Sequence, residues 1–445
     1  MAGLSATRAL SNHFDRVTVI ERDELPGDPM TRKGVPQGNH VHALLAGGYN
    51  VLKGYYPTMP QQMTEAGVAQ GDITGDFLWY QYDHWKLRAD CGLTAAFLSR
   101  PLLEYLVRKN TKALSNVTFL EGYDGEQPVY DRAKRRVTGL EVKNRATGET
   151  QTLEADLVLD ASGRGSQTPK WLESWGFARP EETEIKVDVG YATAIIERRP
   201  GDLWDAHGMI IATAPPKNLP RGAGVISMEH DRWVVTLAGG LGDHPPTDYE
   251  GWMQFAKTIP GNAVAPLLEG RELLREIMAY KYPANRRRHY HELTDFPAGY
   301  LVLGDGVCSF NPVYGQGMTV SLNEAKALDE CLAAGDAGLW KRYFARTRAI
   351  TDIPWLIAAG EDLRYPQVEG KRPRGFALRA KYLERAHKAA TKDPVVLKKF
   401  FEVANLVAPP SNMFQPAVVA RVVAGGRGKQ QALPSKKRRL ATAQP

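Results

Sequence analysis

The chain has 445 residues, 43% of them hydrophobic and 24% charged, which excludes disorder over most of its length and implies two or three domains. Its net charge of +7 is carried by residues 421–445, where Arg421, Arg427, Lys429, Lys436, Lys437, Arg438 and Arg439 meet no acid, so no basic nucleic-acid face is expected on the folded body. No apolar run of about 18 residues spans a membrane and no signal-peptide pattern opens the chain, so the expected setting is cytoplasmic.

Residues 2–13 read as a helix with small residues on one face, and 16–21 (RVTVIE), alternating and β-branched, as a strand ending at Glu21. A Pro- and Gly-rich loop covers Leu25 to Gly38. Residues 40–56 and 59–67 read as helical, 77–90 (FLWYQYDHWKLRAD) as sheet, and 100–115 as helix. Strands near 117–121, 127–131, 135–144 and 150–154 follow so closely that they predict an antiparallel meander. Residues 155–161 (ADLVLDA) form a buried strand. A β-rich stretch then places strands near 186–197, 207–213, 223–229 and 232–238, with a helix near 248–258. Residues 299–304 make another buried strand and 316–333 a helix, and the pattern after 338 is helical to about residue 407. The last 25 residues read as a disordered basic tail.

Cys91, Cys308 and Cys331 share no metal or redox spacing, so three reduced, buried thiols are expected. His40 and His42 likewise have no metal-ligand spacing and read as structural.

Three segments carry the chemistry. Gly3 opens the first helix and Glu21 ends the next strand 18 residues later. That fits a dinucleotide site, in which a helix N-terminus faces the phosphates and an acid about 20 residues on holds a ribose. The strand ADLVLDA runs into Asp160, Gly163, Arg164 and Gly165, whose carboxylate and amides could approach phosphate and ribose. The strongest segment is YLVLGDGVCSFNPVYGQGM, residues 300–318. A buried strand runs into Gly304-Asp305, and a loop rich in Pro and Gly opens a helix near Gly317. Asp305 stands where ligands bind in open α/β sheets. Gly315 and Gly317 let backbone approach a flat ring, and the helix N-terminus directs positive partial charge at it.

In this order and spacing the segments resemble the group A FAD-dependent monooxygenases of the p-hydroxybenzoate hydroxylase fold. RKGVPQGNHVHALLAGG (Arg32 to Gly48), LSRPLLE (Leu98 to Glu104) and GDGVCSFNPVYGQGM resemble in particular the branch that includes bacterial polyether epoxidases. Gly306 departs from the family's usual Ala. The resemblance implies an α/β fold: a three-layer FAD-binding domain with a parallel sheet and a β-meander, a β-rich substrate domain and C-terminal helices. The implied boundaries are 1–75, 98–178 and 292–345 for FAD, 76–97 and 179–291 for substrate, 346–420 for the helical region, and 421–445 for the tail. It implies that Gly3, Glu21, Arg22, Arg32, Arg100 and Asp160 approach the adenosine, phosphate and ribityl parts of FAD. It also implies that Gly304 and Asp305 hold the ribityl chain, and that Pro312, Gly315, Gln316, Gly317 and Met318 face the isoalloxazine. The family has a strand and two further glycines before the counterpart of Gly3. Their absence before Met1 is expected to reflect a misassigned start, and to weaken FAD binding and stability if real.

The implied reaction is hydroxylation or epoxidation of a small apolar organic substrate by one oxygen atom from O2, through a flavin C4a-hydroperoxide, with NADPH or NADH as reductant. This suits secondary metabolism. No second G-x-G-x-x-G occurs, so no separate nicotinamide domain is expected. No side-chain acid or base is assigned to oxygen transfer, no metal is expected, and the oligomeric state is open. Trp79, Tyr82 and Tyr191 are candidates to line the substrate cavity; Arg286, Arg287 and Arg288 read as a solvated strand or loop. The alternatives are an FAD-dependent reductase or dehydrogenase of an isoprenoid or polyketide, and a truncated, cofactor-free binding protein. A halogenase is disfavoured because DIPWLI, residues 352–357, only echoes the motif W-x-W-x-I-P.

Overall fold

The computed structural model describes residues 1–212 and 220–428. The chain opens with α1 (Ala2–Leu10), β1 (Val17–Glu21), α2 (Ala46–Tyr55), α3 (Met59–Glu65), β2 (Ala69–Asp72), β3 (Leu78–Gln81), β4 (His84–Trp85), β5 (Thr94–Phe97) and α4 (Arg100–Lys112). Then come β6 (Val117–Glu121), β7 (Tyr123–Asp131), β8 (Arg136–Asn144), β9 (Thr150–Glu154), β10 (Val158–Asp160) and α5 (Thr168–Trp175). The β-rich stretch holds β11 (Glu182–Glu197), β12 (Gly208–Ala212), β13 (Arg221–Met228), β14 (Arg232–Gly239), α6 (Tyr249–Lys257), α7 (Val264–Leu268) and β15 (Met278–Arg288). Last come β16 (Tyr300–Val302), β17 (Cys308–Ser309), α8 (Gly317–Ala333), α9 (Leu339–Asp362), α10 (Phe376–Ala389), α11 (Pro394–Ala404) and α12 (Pro416–Val423).

The molecule is mixed α/β. Parallel pairs β1–β6 and β10–β16 lie beside a three-stranded meander, β7-β8-β9, and an eight-stranded sheet runs β17-β15-β11-β14-β13-β12-β3-β4. β6 therefore leaves the expected meander. Its VTFLE run pairs in parallel with VTVIE of β1, which strand spacing alone does not reveal.

Alternation along β14 divides the eight-stranded sheet into two faces. Trp233, Val235 and Leu237 pack with Trp252, Phe255, Leu267 and Leu268 of α6 and α7. Thr236 and Ala238 point the other way, into a cavity. β11 repeats the pattern, with Ala192, Ala194 and Ile196 in that core and Tyr191 toward the cavity. The second core joins Val158, Tyr300, Leu301, Val302 and Leu328 to Tyr343 and Phe344 of α9. The C-terminal helices cover the β3 end of the sheet, where Trp79 meets Phe401 at 4.8 Å between ring centroids.

Three sequence expectations are corrected here. Residues 40–45 are irregular rather than helical, and they are tied to the sheet: the Val41 amide donates to Thr236 Oγ1 (2.9 Å) and His40 Nδ1 bonds Thr193 Oγ1 (2.7 Å). The arginine run belongs to β15, and Arg287 and Arg288 are buried rather than solvated. Arg287 pairs with Asp352 (2.7 Å), and Arg288 with Glu182 (2.9 Å) and the Gly306 carbonyl (2.9 Å). The tail is ordered as far as residue 428. Arg421 lies in α12, and its guanidinium donates to buried Asp393 (3.1 Å), as does the Arg427 amide (2.8 Å). The remainder of that tail, residues 429–445, and residue 213 of the expected strand lie outside the described residues.

Candidate functional site

One cavity of about 1910 Å³ runs from the end of β1, past β10 and β16, to the inner face of the eight-stranded sheet. Its middle is built by the strand-to-helix segment 300–318. β16 is fully buried and delivers the chain to Gly304 in the left-handed region (φ +68°), where a Cβ would lie 2.8 Å from that of Ala2. This position requires glycine. Asp305 follows and projects into the cavity, making no hydrogen bond or ion pair among the described residues. Enclosure by protein raises its carboxyl above the usual range, opposed by Arg164 and the amino terminus.

The next turn, Pro312–Tyr314, is held by the Asn311 side chain, which accepts from the Val313 amide (3.2 Å), and closes at Gly315 (φ +65°). α8 then begins at Gly317, where a Cβ would meet nothing within 4 Å. The first amides of a helix have no partner within it, so this turn offers donors to the cavity. Pro312, Gly315, Gln316, Gly317 and Met318 all line it, and the buried Gln316 Oε1 has no partner among the described residues.

The other end is charged. Glu21 accepts from the Asp23 amide (3.0 Å) and pairs with Arg32 (3.0 Å) through Oε1. Arg32 also pairs with Asp23 (2.7 Å) and Glu104 (2.9 Å), which raises its pKa. Glu104 is buried and holds Arg100 (3.2 Å) and Arg108 (3.7 Å) as well. These cations and the amino terminus outweigh its burial and lower its carboxyl to about 2. Arg100 is buried, with Nη1 beside the cavity and without a hydrogen-bond partner among the described residues. Gly3 and Arg22 line this end too, and Arg22 is exposed, 3.7 Å from Asp124.

Asp160 lines the cavity at the end of β10 but spends its carboxylate on its own loop. It accepts from the Ser162 amide (2.9 Å) and the hydroxyls of Ser162 (2.6 Å), Ser166 (2.5 Å) and Thr168 (2.7 Å). The structure thus gives it a loop-bracing position. Arg164, in the same turn, donates to the Ala284 carbonyl (2.6 Å) and Ser309 Oγ (3.0 Å), tying the turn to β15 and β17.

At the sheet face the cavity is walled by Val41, Ile210, Gly224, Ala238, Tyr191 and Tyr280. Tyr191 donates to Asn311 Oδ1 (3.2 Å). Of the three aromatic candidates it alone lines the cavity. Trp79 packs among Phe77 and Phe401, and Tyr82 stacks on His387 and donates to Glu361 (3.2 Å). Trp79 on β3 and Tyr82 in the β3–β4 turn lie where the C-terminal helices cover the sheet, so aromatic crowding there is core packing.

The sequence reading missed His40, His42, Tyr280, Tyr282 and Asp362, all of which line the cavity. Burial lowers both histidines to about 4, so they are neutral near neutrality. Tyr280 and Tyr282 alternate with Lys281 on β15, a period of two that could have placed them on one face. Asp362 is raised to about 6 by burial, although Asn285 (2.7 Å) and Tyr314 (3.1 Å) donate to it.

The sequence is 32% identical to Protein Rv3254 of Mycobacterium tuberculosis over 429 residues, covering 92% of this chain and 90% of the relative. The chain belongs to the Rv3254 family. No family model matches it. Among solved structures it is similar to a triple mutant of the flavin-dependent brominase Bmp2 (TM-score 0.64, 11% identity, 95% of each chain). It is also similar to a flavoprotein/dehydrogenase from Cytophaga hutchinsonii (0.64, 14%, 95% of this chain and 94% of that one). A third is the p-nitrophenol 4-monooxygenase PnpA from Pseudomonas putida (0.60, 15%, 91% and 95%). The chain thus has the α/β fold of flavin-dependent monooxygenases.

Proposed function

We propose that the protein binds FAD along this cavity and is a monooxygenase, adding one oxygen atom from O2 to an apolar organic substrate with NADPH or NADH as reductant. The observation that carries this reading is Asp305, a free carboxylate at the carboxyl end of β16 beside the open first turn of α8. A polyol chain needs such an acceptor, and a ring edge that becomes anionic on reduction needs such donors.

The residues fit the cofactor at both ends. Arg100 Nη1 and Gln316 Oε1 are buried without partners among the described residues, and both residues border the cavity. Glu21 Oε2 takes no bond among the described residues and would accept from a ribose hydroxyl, while Arg100 and Arg32 would face phosphate. FAD supplies the electron transfer and oxygen activation when bound. The chain's own residues orient and enclose. Asp305 holds the chain that links phosphate to ring, the α8 amides favour negative charge at the ring edge, and Val41, Ile210, Ala238 and Tyr280 exclude water from the substrate side. Neutral His40 and His42 add no charge to that wall. The blocks Arg32 to Gly48 and Leu98 to Glu104 favour the branch that contains polyether epoxidases.

Turnover under heavy-isotope oxygen tests the reaction. A product carrying one labelled atom, formed only with NADPH or NADH and O2, is expected. Equal turnover of an isoprenoid or polyketide without oxygen would instead establish a reductase or dehydrogenase.

A further inference from the structure

A cluster of possible metal ligands lies just past β15, in the turn Tyr290–Glu292 and the residue before it. The packing around the turn fixes its place. Tyr290 is buried and stacks on Phe344, 5.1 Å between ring centroids. The His289 amide donates to the Glu181 carbonyl (2.8 Å), and the Glu292 amide to the His289 carbonyl (3.0 Å). His289 and His291 flank the buried tyrosine, half-buried themselves, with their ring centroids 5.6 Å apart.

Glu292 Oε1 lies 3.6 Å from His289 Nδ1 and 3.4 Å from His291 Nε2, and one ligand atom from each residue lies within 4.8 Å of the others. These separations exceed a nitrogen–oxygen hydrogen bond, about 2.7–3.2 Å. They suit the edges of a coordination tetrahedron, since atoms about 2.1 Å from a common ion stand about 3.4 Å apart. His289 gives a second, independent sign. Its Nδ1 is enclosed without a hydrogen-bond partner among the described residues, while Nε2 bonds Thr183 Oγ1 (2.8 Å) on the neighbouring strand β11. With the ring proton on Nε2 and donated to that hydroxyl, Nδ1 is a bare lone pair beside a carboxylate. Such a second bond is what orients a metal-binding imidazole. Burial lowers both histidines below their ordinary value, so near neutrality neither is a cation that would pair with Glu292. Arg287 and Arg348 are close by, but both pair with Asp352 (2.7 and 3.6 Å), and Glu181 adds another negative charge.

We propose that His289, His291 and Glu292 bind one divalent transition ion of the zinc type, with a fourth position left to water. Two imidazoles and a carboxylate suit such an ion, whereas magnesium and calcium take oxygen ligands. None of the three residues lines the cavity, so the ion is structural: it pins the turn and, through Thr183, the start of β11. The proposal departs from the sequence expectation of no metal and is independent of the flavin reading.

Calorimetric titration of untagged, chelator-stripped protein with Zn2+ near neutral pH tests it. One Zn2+ per chain should bind with micromolar or tighter affinity, and Mg2+ should give no response. His289→Ala and His291→Ala should each weaken Zn2+ binding at least about 100-fold, more than loss of an outer-shell partner does. Glu292→Gln, at an exposed side chain whose loss leaves the core intact, should weaken it at least about 10-fold. Should a histidine variant fail to fold, Co2+ in the unaltered protein serves instead: it should give the intense visible bands of a four-coordinate ion, diminished in Glu292→Gln. Absence of stoichiometric Zn2+ binding, equal binding of Mg2+, affinity unchanged in any of the three variants, or the weak bands of six-coordinate Co2+ would each overturn the proposal.

Discussion

Replacing Glu324 with Gln should flatten the pH dependence of stability in a defined window. Glu324 lies in α8, with Oε2 accepting from the Gly304 amide at 2.7 Å and Oε1 without a partner among the described residues. Burial, helped by nearby Asp305, raises its carboxyl from 4.5 to about 8. The folded protein keeps this proton while the unfolded chain releases it, so the contribution to stability is full below the unfolded value. It is lost as pH rises toward the folded one. Between about pH 5 and about pH 8, at ~1.4 kcal/mol per unit, the wild type loses about 3 kcal/mol through this group. Gln accepts the same Gly304 bond and has no proton to lose. Urea unfolding at both pH values should show the stability difference moving by about 3 kcal/mol in favour of Glu324→Gln as pH rises. Parallel pH profiles would refute the assignment of a buried, protonated Glu324.

Four further outcomes follow from the geometry. Glu104→Ala leaves three guanidinium groups without their shared carboxylate and should cost about 3–5 kcal/mol in denaturant unfolding. Because the folded Glu104 is lowered to about 2, its contribution is present above its ordinary 4.5 and is lost as pH falls toward 2, so the variant should lack that acid limb. Asp305→Ala should keep the fold, read by circular dichroism, while FAD affinity falls about 10–100-fold, as for a lost hydrogen bond to a charged group. Gly224→Val should raise KM for the organic substrate and leave FAD affinity unchanged, since its side chain would enter the cavity wall beside Val41 and Ile210. Trp233→Ala, at a fully buried site, should cost about 3–5 kcal/mol and be read in the unfolding midpoint.

The flavin-side architecture was legible because it is local. The run into Gly304 and Asp305, the loop to Gly317 and the helix after it follow from apolar run, Gly/Pro content and periodicity within 20 contiguous residues. The partner of β6 was not legible, because VTFLE fits a parallel neighbour and a meander equally. β15 was hidden by its own arginines. Only the fold shows that β17, the Arg164 turn and Asp352 converge on them to offset burial. The aromatic crowding at residues 77–85 misled for a related reason. Composition tells that such rings need cover, but not whether cavity or helix provides it. Asp160 taught the same lesson, since three neighbouring hydroxyls satisfy it before any ligand could.

The central claim is that Asp305, the first turn of α8 and the Glu21–Arg32–Arg100 end of the cavity hold one FAD. Release and chromatographic identification of the cofactor from protein purified out of its own host tests this most directly. The account predicts about one FAD per chain, bound about 10–100-fold more weakly in Asp305→Ala protein of unchanged fold. A folded native protein that carries no flavin and takes up none on titration would contradict it.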